Sequence, residues 1–146
     1  SVVRFNAAGA QIASLSAAKM VHYPDDDSTE LLAPSIVQTR PGEPRLTVRA
    51  DRGALSQNGE EVFLYGNVLL RRDPTPGRTE AQLRTSFLHL VTAQSLVRTD
   101  REVALWSPDR TFSARGLEYR NDTGELFLRE NVRGRLNPRP QARASR

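Results

Sequence analysis

The stretch Ala50-Asp-Arg-Gly-Ala-Leu-Ser-Gln-Asn-Gly-Glu-Glu-Val-Phe-Leu-Tyr-Gly-Asn-Val68 decides the fold. Two extended segments flank Asn58-Gly59, a pair that tolerates the positive φ angles of a two-residue hairpin turn. Beyond the turn, alternation sends Val62 and Leu64 to one face and Phe63 and Tyr65 to the other. Gly66-Asn67 interrupts the run before Val68-Leu69-Leu70 resumes it.

The pattern is repeated at Ala114-Arg-Gly-Leu-Glu-Tyr-Arg-Asn-Asp-Thr-Gly-Glu-Leu-Phe-Leu-Arg-Glu-Asn-Val132, where Val62, Leu64, Asn67 and Val68 reappear as Leu126, Leu128, Asn131 and Val132. Weaker copies start at Ala18 and Thr85. Copies spaced by about thirty residues mark a supersecondary unit that cannot bury its apolar face alone. Each unit is a β-hairpin, and four of them predict one all-β structure, an antiparallel sandwich, jelly roll or open barrel. Hairpins that do not close leave unpaired edges, which can join a second copy or another chain by strand addition.

Further strands are expected at Ser1–Phe5, Gln11–Tyr23, Ser35–Arg40, Leu46–Ala50, Thr85–Val91, Gln94–Thr99 and Glu102–Trp106. Within Gln11–Tyr23, the Ala-rich piece Ser14–Met20 has helical propensity, and the repeat argues for a strand instead. Asp73–Arg78 is the longest polar interruption. A chain of 146 residues suits one domain. Residues 1–136 form that domain by this reading, and 137–146, rich in Pro, Arg, Gln, Ala and Ser, form a disordered basic tail.

Composition excludes several chemistries. Without cysteine there are no disulfides and no thiolate metal sites. His22 stands near Asp25, Asp26 and Asp27, yet no spaced ligand pair accompanies it, so the segment reads as a solvated turn and no metal is expected. No nucleophile elbow, phosphate-binding loop or dinucleotide fingerprint occurs, and the carboxylates sit at turns, so neither an enzyme nor a cofactor is expected. The net charge is +4, and Lys19 is the single lysine among 21 basic residues. Along the sequence these charges are scattered among acids, which indicates solubility before it indicates a partner. Phe63, Tyr65, Arg71 and Arg72 come nearest to a nucleic-acid-binding strand pair. One aromatic per strand packing on its neighbour explains them more simply, and no nucleic acid is expected. No run of about 18 apolar residues is available to span a bilayer. The chain begins at Ser1 without an initiator Met, and an upstream segment is read as removed.

Val62, Leu64, Val103, Leu105, Leu126 and Leu128 recur at matching places and line a common interior. Periodicity leaves two versions open, a packed core and a partly filled groove that holds a lipid tail.

Read together, Phe5–Gly9, His22-Tyr-Pro-Asp25, Thr29-Glu-Leu-Leu-Ala-Pro34, Ala50–Ser56, Val62–Val68, Leu83–Leu88, Arg98-Thr-Asp100 with Val103, and Ala114-Arg-Gly-Leu117 resemble the LptC family, the periplasmic subunit of the lipopolysaccharide export system. The resemblance implies an open, twisted β-jelly roll on the periplasmic face of the inner membrane, anchored by an N-terminal transmembrane helix. It implies a non-enzymatic adaptor that receives lipopolysaccharide from an LptB/LptF/LptG-type ABC transporter and passes it to an LptA-like bridge protein. The alternative is a strand-pairing scaffold with a packed core and no lipid.

By the same resemblance the lipid-binding interior comprises Leu31, Ile36, Val62, Leu64, Tyr65, Val68, Leu88, Leu90, Val103, Leu105, Leu117, Leu126 and Leu128. Phe5 and Gly9 belong to the edge that faces the transporter. Gly116, Leu126, Val132 and Leu136 belong to the region that docks the bridge protein, within or beside the hairpin Glu125–Leu136. Replacing Leu64 by Arg is expected to abolish transport.

Overall fold

The computed structural model describes residues 2–7, 11–56 and 59–137. Twelve strands occur among them: β1 (Val2–Ala7), β2 (Gln11–Ser16), β3 (Lys19–Tyr23), β4 (Ser28–Leu32), β5 (Ser35–Thr39), β6 (Leu46–Arg49), β7 (Arg52–Leu55), β8 (Glu61–Arg72), β9 (Ala81–Val91), β10 (Leu96–Trp106), β11 (Arg110–Arg120) and β12 (Leu126–Leu136). A 3-10 turn at Thr92–Gln94 links β9 to β10. All neighbouring strands are antiparallel.

Their pairing has a simple logic. The two ends of β8 pair with different strands, Arg52–Leu55 of β7 at Tyr65–Val62 and Leu46–Arg49 of β6 at Arg72–Leu69. In the same way β4 pairs with β3 and β7, while β5 pairs with β2 and β6. The segments β2–β3, β4–β5 and β6–β7 are therefore long strands broken at a corner. Together with β8 to β12 they form a meander folded over along one line, with β1 added at one end. The result is an open β-jelly roll of two layers. The first layer contains β3, β4, β7 and the halves of β8–β12 next to the turns at 56–61, 92–95 and 121–125. The second contains β1, β2, β5, β6 and the other halves.

Local sequence chemistry makes the corner. β8 slips register between Tyr65 and Val68, where Gly66 (φ 83°) and Asn67 (φ 49°) adopt left-handed conformations. β12 does the same at Asn131 (φ 51°), opposite the slip between Ser113 and Arg115. Such bulges bend a strand and increase its twist, and Gly and Asn are the residues that reach this region at least cost. The Gly-Asn-Val and Glu-Asn-Val elements of the repeat are thus corner signals. In β11 the inward set changes from Ala114 to Leu117 and Tyr119, and the phase change occurs at Gly116 (φ 87°).

A Cβ at Gly116 would lie 3.0 Å from Cδ and 3.1 Å from Cβ of Arg129. Gly116→Val therefore combines backbone strain with a contact that must give way. A loss of about 2 kcal/mol is expected, read as a lower denaturation midpoint with an unchanged m-value. An unchanged midpoint would show that the corner does not need glycine.

Most expected strands are present, with differences of local origin. The single strand expected at Gln11–Tyr23 is two, β2 and β3, broken at Ala17-Ala18, and Ser14–Met20 is not helical because burial of inward Ala13 and Leu15 outweighs helical propensity. β9 starts at Ala81, and the two segments expected at Gln94–Thr99 and Glu102–Trp106 are one strand with a bulge between Thr99 and Glu102. Gln94 lies in the 3-10 turn. The turn at Asn58-Gly59 is longer than two residues: Ser56 N–H donates to Glu61 O at 3.0 Å, and Gly59 N–H donates to Ser56 O at 3.0 Å. Asn58 lies outside the described residues. Asn137, assigned to the tail from sequence, is tied to the β10–β11 turn by bonds to Asp109 O and Ser107 O, both 2.8 Å. The remainder of that segment, 138–146, is outside the described residues.

Candidate functional site: the interior between the layers

Strand alternation directs one apolar set from both layers inward. Leu31, Ile36, Val62, Leu64, Val68, Leu88, Leu90, Val103 and Leu117 meet there in one buried cluster with Leu15, Leu46, Val48, Leu70, Leu83, Val97, Ala114 and Tyr119, and Leu105 and Leu128 pack against its margin. Period-two counting along Leu46–Ala50 already gives Leu46 and Val48 as the buried side of that strand, whereas Leu15, Leu70, Leu83 and Val97 were not singled out as interior residues. These four also lie at inward positions of their strands, so the same counting outside the hairpin copies was the available signal.

Tyr65 is a correction. It occupies an odd position of β8, pairs with Phe87 and stands on the outer face at 37% exposure. The alternation that buries Val62 and Leu64 excludes Tyr65 from the interior. Leu126 is 40% exposed at the start of β12 and lines a cavity mouth. Val132 and Leu136 are exposed on β12, which among the described residues pairs with β11 alone. Gly116 is buried one strand in from that edge. Phe5 lies on β1, at the opposite edge of the second layer, and Gly9 is outside the described residues.

Packing is uneven along the interior. Toward β12 an apolar cavity of about 160 Å³ opens between the layers, lined by Leu70, Leu83, Val97, Leu105, Phe112, Leu117, Tyr119 and Leu126. Arg72, Arg110, Thr79, Gln82, Trp106 and Ser107 complete its wall. The apolar part of its lining suits an apolar guest, and the polar side chains stand around it.

Opposite the corner, the tips of the two layers are clasped by polar side chains. Arg40 Nη1 donates to Ser95 Oγ at 2.5 Å, and Ser95 Oγ donates to Glu43 Oε1 at 2.9 Å. Glu43 also faces Arg40 across 3.5 Å and accepts from Asn121 Nδ2 at 3.3 Å. Asn121 Nδ2 donates to Pro44 O at 2.9 Å, and its Oδ1 accepts from Tyr119 OH at 3.0 Å. Arg72 Nη1 reaches Tyr119 OH at 3.2 Å, and Arg78 Nη1 reaches Asn121 O at 2.8 Å. The clasp fastens the β5–β6 loop of the second layer to two turns of the first. Neither Glu43 nor Asn121 was singled out from sequence, because residues 43 and 121 meet only once the sheet folds over.

On the outer face of the first layer, Phe63 stacks on His89 with ring centroids 4.5 Å apart. Arg98 Nε donates to His89 Nδ1 at 3.1 Å. A guanidinium cannot accept, so Nδ1 is the bare nitrogen and Nε2–H donates to Glu61 Oε1 at 2.8 Å. In the acidic turn, His22 Nε2 meets Asp27 Oδ1 at 2.5 Å. The hydroxyl and backbone N–H of Ser28 hold the Asp26 carboxyl below its ordinary pKa. Among the described residues no group of side chains is arranged to hold a metal ion, and no helix is long and apolar enough to cross a membrane.

Comparison with known proteins fits this geometry. The model of the LptC-related lipopolysaccharide-assembly proteins matches residues 1–137. The chain belongs to the LptC family. A similar solved structure is LptH, the LptA-homologous periplasmic component of the lipopolysaccharide transport device of Pseudomonas aeruginosa. Its TM-score is 0.69 at 13% identity, over 86% of this chain and 95% of that one, a likeness of fold. No match was found among curated protein sequences. LptC proteins are non-enzymatic, periplasmic and inner-membrane-associated components of lipopolysaccharide transport, with lipopolysaccharide and LptA-like proteins as partners.

Proposed function

We propose that this LptC protein receives lipopolysaccharide from an LptB/LptF/LptG-type transporter at the β1 edge and passes it along its interior to an LptA-like bridge protein at β12. The apolar cavity beside β12 carries this reading. Acyl chains that leave a bilayer need continuous cover, since each buried CH₂ is worth about 0.8 kcal/mol. The cavity supplies cover at the end where an unpaired edge strand can extend the sheet into a second protein. Arg110 on its wall offers a guanidinium group to lipid phosphates, while that of Arg72 is held by Thr79 O and Tyr119 OH.

A photo-reactive residue at Leu105 or Leu126, with lipopolysaccharide supplied by a working transporter, tests this reading. Adducts are expected at both positions and not at the outward control positions Arg52 and Arg101. Equal labelling of all four, or none at Leu105 and Leu126, would mean a closed core and a scaffold role.

A further inference from the structure

The two layers differ on their outer faces. Across the first, one transverse row reads Glu30–Ala54–Phe63–His89–Arg98–Glu118–Phe127. Its charges are mixed in sign, and His89 hydrogen-bonds to its neighbour Arg98. Across the second, the register builds two adjacent rows, Arg49–Leu69–Arg84–Ala104–Ser113–Arg133 and Thr47–Arg71–Gln82–Trp106–Thr111–Arg135. These rows hold five arginines and no acid, and an exposed acid, Glu102, stands beside them in a surface groove with Arg84 and Arg133. All five are exposed, and among the described residues none forms a side-chain hydrogen bond or ion pair. Trp106, 41% exposed, stands at the rim where this face meets the interior cavity.

We infer that this outer face of the second layer lies against an anionic phospholipid surface. Five spacings of about 4.8 Å separate Arg49 from Arg133, so the row spans roughly 24 Å. That is too broad for one small anion and suits a field of headgroups, where guanidinium binds phosphate in a bidentate manner. Unpaired like charges on one face repel each other, and an external anionic surface removes that cost. Trp106 supplies the amphipathic ring that favours a membrane–water interface. A polynucleotide would need several exposed aromatics between the arginines for stacking, and only Trp106 stands there. The inference concerns an outer face and does not depend on lipid in the interior.

Flotation with phosphatidylcholine vesicles, with and without phosphatidylglycerol, tests it. The protein is expected to float only with phosphatidylglycerol, and binding should weaken steeply with salt. Trp106, the chain's one tryptophan, should shift its emission to the blue on binding. A triple variant Arg49→Gln, Arg84→Gln, Arg133→Gln should bind roughly a hundredfold more weakly. The first-layer control Arg52→Gln, Arg129→Gln should change binding by no more than about twofold, and thermal melts establish that both variants are folded. No flotation of the wild type, equal loss in the control, binding without a Trp106 shift, or tighter binding to duplex DNA than to vesicles at equal salt would each overturn the inference. Because no lipopolysaccharide is present, these outcomes are independent of the crosslinking at Leu105 and Leu126.

Discussion

Leu105→Arg is expected to yield a folded protein that no longer crosslinks to lipopolysaccharide, whereas Leu64→Arg is expected not to fold. The two leucines occupy matching places in their repeats, yet their surroundings differ. Leu64 has no exposed surface, and its Cδ2 comes within 2.9 Å of where a Cβ on Gly53 would sit. A guanidinium there has no path to water, and burying an unpaired charge costs several kcal/mol after relaxation. Domain stability is about 5–15 kcal/mol in all, so one such change can remove most of it. Leu105 packs at the margin of the cluster and lines the cavity. An Arg there can lay its stem along apolar surface and bring its head to the mouth near Ser107 and Trp106. It would fill the space an acyl chain needs, at a cost of about 1–2 kcal/mol. Thermal melts followed by circular dichroism, with crosslinking from Leu126, separate the cases. A cooperative Leu64→Arg melt near the wild-type midpoint would mean that the interior around Leu64 is open to water. Lipid adducts persisting in a folded Leu105→Arg protein would place the lipid path elsewhere.

Removing Glu43 is the other large expected effect. Its side chain is 7% exposed and serves Arg40, Ser95 and Asn121 together. Glu43→Ala removes the carboxylate that faces the Arg40 guanidinium, itself 18% exposed, and leaves the Ser95 hydroxyl and the Asn121 amide each one acceptor short. Breaking a buried pair costs about 3–5 kcal/mol, and the partial exposure of Arg40 argues for the lower end. At about 3 kcal/mol, Tm should fall by roughly 6–12 °C. The clasp holds the layers together opposite the corner, so its loss should also admit a fluorescent apolar probe to the interior below Tm. A shift under about 2 °C with unchanged probe binding would show that the corner and the apolar cluster close the interior unaided. A large drop in Tm without added probe binding would confine the clasp to a stabilising role.

Strand alternation alone placed Val62 and Leu64 inside and Phe63 on the outer face. The same count applied to Tyr65 puts it outside, against the position implied by family resemblance, because a side chain's face follows the pleat of its own strand. The repeated Asn67-Val68 and Asn131-Val132 were legible as interruptions. Their meaning as corners was not, since a bulge is defined by the partner strand it slips against.

The sequence by itself determined that the chain is a series of hairpins, which side of each strand is apolar, and the family to which it belongs, because these depend on neighbours two or three residues away. Only the tertiary structure decided which contacts cross the fold. Glu43 and Asn121 form one clasp although 77 residues lie between them, and arginines scattered among acids along the chain gather on one face as Arg49, Arg84 and Arg133. Local order fixes the face of a residue. The register between distant strands fixes its neighbours, and the uneven closure of the two layers leaves the cavity beside β12 open.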